Sequence, residues 1–137
     1  MTRVTRPGGT VATCVWDHGG FRGPLTLFWQ VAADLDPTAK SESFSAGSRE
    51  GDLERLSADA GLVDVEGGEL AVTVAFSSFE EWWAPYEEPA GSAGDYLATR
   101  TPDQVSALRD ECRRRLADDG FEQTVWTWTA TGRKPTS

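Results

Sequence analysis

Hydrophobic residues recur along the chain with two spacings, and each spacing predicts one type of element. Residues 10–16 form a nearly continuous run of apolar and β-branched residues, which favours a strand covered by helices on both faces. Alternation of apolar and polar residues predicts two more strands, at 62–76 and 123–132. Gly67 and Gly68 predict a bulge or a break in the first of these.

Helical spacing of apolar residues predicts four helices, at 24–36, 49–61, 77–86 and 101–120. Thr101 with Gln104 has the spacing of a capping box, and so has Ser78 with Glu81 or, alternatively, Ser77 with Glu80. Pro85 is expected to end the third helix. The order β-α-α-β-α-α-β predicts an α/β fold, and the length of 137 residues suits a single domain over residues 1–137.

The charge balance excludes several functional classes. With 22 acidic and 13 basic residues the net charge is −9, so nucleic acid is not an expected partner. The basic run Arg113–Arg115 has acidic neighbours and is interpreted as a solvated helix face. No apolar run approaches the length of a membrane span, and the N-terminus lacks a signal-peptide pattern, which predicts a cytoplasmic protein without a membrane partner. Cys14 and Cys112 are both predicted to be small buried residues.

Asp17 and His18 follow the first strand, at the edge of an open α/β sheet where ligands bind. His18 is a candidate general base, with Asp17 orienting it or contacting a substrate. In the alternative interpretation, Asp17 caps a loop turn and His18 is an exposed loop residue. The acidic group Glu80, Glu81, Glu87 and Glu88 makes a metal site conceivable. Helix-start preferences explain the first pair without a metal, so no metal site is predicted.

Aromatic residues are the second candidate feature, because the chain has six Trp. One interpretation is a hydrophobic substrate pocket. Its proposed substrate-binding residues are Trp16, Asp17, Phe28, Trp29, Trp82 and Trp83. The alternative is ordinary packing in the core, and Trp126 and Trp128 are assigned to the core.

Four segments resemble the C-terminal half of class I S-adenosylmethionine-dependent methyltransferases of the small-molecule type. They are Arg3–Asp17, Gly51–Glu66, Phe76–Tyr86 and Val125–Pro135. The first is similar to that family's Pro-Gly-Gly turn and fifth strand, and the last to its final, antiparallel strand. The resemblance implies a partial Rossmann-like sheet of about three strands with covering helices, S-adenosylmethionine as cofactor and a small-molecule substrate.

The family's glycine-rich cofactor loop and its ribose-binding acidic residue have no counterpart in the sequence, so no cofactor-binding residue is assigned. The resemblance therefore implies a truncated, split or degenerate methyltransferase that supplies the substrate-side half and is inactive alone. A complementary N-terminal half is one expected partner. A homodimer through the uncovered edge of the first strand is another. A non-catalytic α+β domain that binds an apolar ligand or a protein through its aromatic face is the alternative function.

Overall fold

The computed structural model describes residues 1–42, 45–117 and 119–136. The strands are β1 (Thr10–Trp16), β2 (Val63–Phe76) and β3 (Phe121–Arg133). The helices are α1 (Thr26–Leu35), α2 (Asp52–Asp59), α3 (Phe79–Glu87), α4 (Gly91–Ala98) and α5 (Pro102–Arg115). The predicted α/β class and the three strands are confirmed, and α4 is a helix that the sequence did not predict.

The three strands form one sheet in the order β1-β3-β2. β1 is antiparallel to β3 over its whole length, with Thr10 opposite Arg133 and Trp16 opposite Thr127. β2 is antiparallel to β3 on the other side. Both outer strands therefore run in the same direction, connected through α1 and α2. The prediction that the last strand is antiparallel is confirmed.

The expectation that β1 is covered on both faces is wrong. Val11 is buried and shares a groove with Leu53 of α2, so α2 covers this face of the strand. On the other face Ala12, Cys14 and Trp16 are exposed, and Trp16 keeps 39% of its surface accessible. β1 thus has the period-two burial of a strand covered on one face.

The predicted burial of Cys14 and a break of β2 at its glycine pair are also not found. Cys14 is exposed, because it lies on the open face of β1, whereas Cys112 is buried as predicted. β2 continues through Gly67 and Gly68 without a break. Glu54 lies directly over Gly67, where an added Cβ would be 1.7 Å from its Oε1, so the small residue leaves room for this carboxylate.

The described residues group into two compact units, and the predicted single domain stays a prediction. Unit 1 contains residues 1–23, 45–72 and 125–136, and unit 2 contains residues 24–42 and 73–124. The core of unit 2 is a cluster of aromatic and aliphatic side chains from four helices. Its buried members are Phe28, Trp29, Val31, Ala32, Phe79, Trp82, Trp83, Tyr86, Ala93, Leu97, Leu108 and Cys112.

Local sequence signals set the starts of two helices in unit 2. The Ser78 hydroxyl accepts a hydrogen bond from the Glu81 N–H, and Thr101 forms a complete capping box with Gln104. The capping box at Thr101 is confirmed. Ser78 caps α3 through its hydroxyl, but the Glu81 side chain accepts from the Ser77 N–H and not from that of Ser78, so this box is half formed. The expectation that Pro85 ends α3 is wrong, because the helix includes Pro85 and continues to Glu87.

Candidate functional site

The candidate site is the loop of residues 17–22, which follows β1. The first and the last residue of this loop both form a backbone hydrogen bond with Trp126 of β3. The Asp17 N–H donates to the Trp126 carbonyl, and the Trp126 N–H donates to the Arg22 carbonyl, both at 2.9 Å. The Arg22 N–H in turn donates to the Asp17 carbonyl at 3.0 Å. Three backbone hydrogen bonds therefore close the neck of the loop and fix residues 17–22 at the carboxyl end of β1.

Asp17 is 1% exposed and holds this loop with both carboxylate oxygens. Its Oδ1 accepts from the Gly20 N–H at 2.8 Å, and its Oδ2 accepts from Arg22 Nε at 2.5 Å. Burial alone would raise the pKa of Asp17, but the hydrogen bonds from Arg22 and Gly20 lower it below its usual value. The carboxylate is therefore ionised at neutral pH, and each of its two oxygens accepts a hydrogen bond.

Arg22 connects the loop to the two longer strands. Its guanidinium donates to Glu69 of β2 at 3.0 Å and lies 5.2 Å from the ring centroids of both Trp126 and Trp128. These geometries combine ion pairing with cation–π contacts on one face of β3. The alternation of Trp126 and Trp128 predicted that they share a face, but no sequence signal identified Arg22 as their partner.

The glycines of the loop are required by close approaches. A Cβ on Gly19 would lie 2.3 Å from Arg49 Cγ, and a Cβ on Gly20 would lie 2.4 Å from Asp17 Oδ2. The Gly19 N–H donates to the Ser48 carbonyl, and that of Gly20 donates to Asp17. The cluster lies in the chain between β1 and α1, that is, between the strand and the helix that the sequence predicted. Its N–H groups are nevertheless used inside the protein.

A cleft of about 520 Å³ opens beside this loop in unit 1. It is lined by Arg22, Glu50, Glu54, Gly67, Gly68, Glu69 and Trp128. A second cleft of about 360 Å³ shares three of these residues, namely Arg22, Glu50 and Trp128. Three carboxylates face one guanidinium in the larger cleft, so its surroundings are negative.

Trp16, Asp17 and His18 lie together in unit 1. The His18 N–H donates to the Trp16 carbonyl, and His18 Nδ1 would be 2.9 Å from a Cβ on Gly23. The indole of Trp16 is partly exposed, whereas Asp17 is enclosed by its loop. This geometry supports the interpretation in which Asp17 caps the loop turn. The role of His18 as a base stays a prediction.

Phe28, Trp29, Trp82 and Trp83 lie together in unit 2, inside its core. Their exposed fractions are 0%, 7%, 2% and 1%. The rings of Phe28 and Trp83 are 6.2 Å apart, and Trp83 Nε1 donates to Glu87 at 2.8 Å. The packing supports the core interpretation for these four residues. Their role in substrate binding stays a prediction.

The basic run at the end of α5 is paired with carboxylates in unit 2. Arg114 and Arg115 both contact Glu111, and Arg115 Nη2 also lies 2.7 Å from Asp34 Oδ2. These pairs hold the pKa of Glu111 down at about 2. These ion pairs support the prediction that the run is a solvated helix face, and they leave less support for a site that binds an anionic ligand.

Comparison with known proteins adds no assignment: no protein-family profile matches the sequence, and no curated protein matches it either. Among residues 1–42, 45–117 and 119–136, no group of three or more His, Cys, Asp or Glu side chains is placed to hold a metal ion. Over the same residues, none of the helices combines the length and the apolar character that a membrane crossing requires.

Proposed function

We propose that this chain is the substrate-side part of a class I S-adenosylmethionine-dependent methyltransferase fold, acting on a small molecule and inactive without a cofactor-binding part. The observation that carries the proposal is the sheet. Two strands of the same direction, β1 and β2, are connected through helices, and the last strand lies between them, antiparallel to both. This arrangement agrees with the partial Rossmann-like sheet that the resemblance implies.

The segments that resemble the family also coincide with the elements that the proposal requires. Arg3–Asp17 contains β1, and Val125–Pro135 contains most of β3. At the junction between α2 and β2, Gly61 has φ of +80° and Leu62 is buried. The helix thus ends with a left-handed glycine followed by an apolar residue that packs back. This supports the assignment of the second resembling segment.

The residues described do not fit S-adenosylmethionine. A nucleotide-like cofactor needs a glycine-rich turn whose N–H groups and close backbone are open to the ligand. The Gly19 and Gly20 N–H groups are instead bonded to Ser48 and Asp17, and Arg49 packs against Gly19. We therefore assign cofactor binding to a complementary part of the fold.

The contribution of this chain to methyl transfer is positioning. Ligands of open α/β sheets bind at the carboxyl ends of the strands, where Trp16 is partly exposed and Asp17 holds the loop rigid. Transfer from a sulfonium donor gains mainly from alignment of the two reactants, so a fixed loop is more useful than a strong base. Asp17 acts in this proposal as a positioning residue for the loop.

The alternative is a non-catalytic domain that binds an apolar ligand or a protein through its aromatic face. It has less support, because Phe28, Trp29, Trp82 and Trp83 are buried in the core of unit 2. The exposed apolar side chains of unit 1 are different ones, including Trp16, Leu70 and Val72.

Two measurements test the proposal. Calorimetry of the isolated chain with S-adenosylmethionine should detect no binding, and micromolar affinity would contradict the assignment of the cofactor site to another part. Co-expression with the N-terminal cofactor-binding half of a small-molecule class I methyltransferase should yield a complex that binds S-adenosylmethionine. Failure to form that complex with any of several such halves would refute the proposed fold relationship.

A further inference from the structure

The groove between α2 and β1 contains a buried serine where an apolar residue is expected. The buried side chains of α2 are Leu53 and Ser57, which lie about one turn apart on the same face of the helix. Ser57 is only 7% exposed, whereas its apolar neighbour Leu56 keeps 39% of its surface accessible. A helix normally buries its apolar side chains and exposes its polar ones. Because such local conflicts concentrate at functional positions, the groove is a candidate binding site.

The hydroxyl of Ser57 lines this groove and forms no hydrogen bond with any residue that the structure describes. A helical serine often bonds to the carbonyl four residues earlier, but Ser57 and Leu53 do not form that bond. The other hydroxyl at the groove is already used, because Thr13 Oγ1 donates to the Ala130 carbonyl at 3.2 Å. Buried polar groups almost always have a partner. The Ser57 hydroxyl is therefore open to a molecule that enters the groove, and it can donate or accept.

The rest of the groove is apolar, and none of the side chains that line it is charged. Val11, Leu53 and Leu62 are its buried lining residues, and Met1 and Leu56 are its exposed apolar ones. Its volume is about 230 Å³. That is the liquid volume of about eight water molecules, or room for roughly ten non-hydrogen atoms. The size and the lining therefore fit a small neutral molecule.

We propose that this groove binds a small neutral molecule with one hydroxyl group, whose apolar part lies between α2 and β1 and whose hydroxyl bonds to Ser57. The apolar part is held by the exposed surface of Met1 and Leu56, which binding removes from water. The single hydrogen bond to Ser57 fixes the orientation. A charged ligand is disfavoured, because no lining side chain would compensate for the loss of its hydration.

Titration of the isotope-labelled chain with para-ethylphenol, followed by amide NMR spectra, tests the site. The probe should shift the amide signals of Ser57 and of the other lining residues, with a Kd on the order of 0.1–1 mM for a ligand of this size. Ethylbenzene lacks the hydroxyl and should bind the same groove about two- to tenfold more weakly. The para-ethylbenzoate anion should leave these signals unchanged. The absence of saturable shifts at the groove up to about 10 mM para-ethylphenol would overturn the proposal.

Substitutions of Ser57 separate the hydrogen bond from the shape of the groove. Ser57→Ala should weaken the binding of para-ethylphenol about two- to tenfold and leave that of ethylbenzene unchanged. Ser106→Ala is the matched control, because Ser106 is an exposed serine of α5, and it should change neither affinity. Ser57→Leu should fill the groove and block both probes while keeping the wild-type circular dichroism. If Ser57→Ala weakened both probes equally, the role of the hydroxyl would be refuted.

The inference does not rest on the proposed function, since binding is measured on the isolated chain without S-adenosylmethionine. The groove contains Val11 and Thr13 of β1, whereas the loop of residues 17–22 follows the end of that strand. Signals that shift at this loop and not at the groove would overturn the assignment of the site. The two proposals therefore fail separately.

Discussion

Replacing Asp17 with asparagine tests whether this buried carboxylate holds the loop after β1. The change keeps the size of the side chain and removes its charge. The amide oxygen of the new side chain can still accept from Gly20, but its amide nitrogen would face the Nε–H of Arg22, donor against donor. A buried hydrogen bond to a charged group contributes roughly 1.5–3 kcal/mol. We expect Asp17→Asn to lower the free energy of unfolding by about 2–3 kcal/mol at pH 7.

The effect of this substitution should depend on pH in one direction. Hydrogen bonds hold the pKa of Asp17 in the folded protein below its unfolded value, which is about 3.9. The carboxylate therefore stabilises the fold fully above about pH 5, and this contribution is lost as the pH falls through the folded pKa. The stability difference between wild type and variant should be constant between about pH 5 and 8 and should shrink below about pH 4.

Urea denaturation followed by tryptophan fluorescence measures these differences. The control is Asp59→Asn, because Asp59 is exposed at the end of α2 and should change stability by less than about 0.5 kcal/mol. Arg22→Met should cost clearly less in the Asp17→Asn background than in the wild type, because the pair is already broken. A loss below about 0.5 kcal/mol for Asp17→Asn, or a difference that persists unchanged at about pH 3, would refute the reasoning.

Two further predictions concern the glycine loop and the cysteines. Gly20→Ala should lower the free energy of unfolding by about 1–3 kcal/mol in urea denaturation, because its Cβ would lie 2.4 Å from Asp17 Oδ2. Gly68→Ala, whose nearest contact would be 3.3 Å, should cost less, and an equal cost would contradict the steric argument. At about pH 8 a thiol reagent should label Cys14 alone in the native protein and both cysteines in denaturant. Cys112 is buried and its pKa is raised by that burial to about 12, so rapid native labelling of two thiols would contradict the packing.

Helix starts could be read from the sequence because their determinants are local. The Thr101 capping box needs only residues three positions apart, and the structure forms it as predicted. α4 was missed for the opposite reason. Its Gly91 and Gly94 are poor helix formers, but an added Cβ on Gly94 would lie 2.1 Å from the Glu88 carbonyl oxygen. Gly94 is needed because the backbone at Glu88 comes so close to it. The pattern of apolar residues does not indicate this approach.

The burial of β1 and the site around it could not be read from the sequence. An apolar run indicates a strand, but which faces are covered depends on distant elements such as α2. Asp17 was a candidate because it follows the first strand, and the structure places it directly after β1. Its pairing with Arg22 and the cation–π contacts with Trp126 and Trp128 depend on how the loop folds back to β3. The spacing of residues along the sequence does not predict that the loop folds back to β3.

The pairing of β1 with β3 sets the order of events during synthesis. Thr13 and Ala130 are neighbours in the ladder, yet 117 residues separate them in the chain. At translation rates of roughly 5–20 residues per second, β1 waits about 6–23 s before its partner strand is made. Throughout that interval a seven-residue uncharged β-segment has both edges free. A nascent chain of this kind is open to pairing with other chains until β3 is made and covers one edge of its first strand.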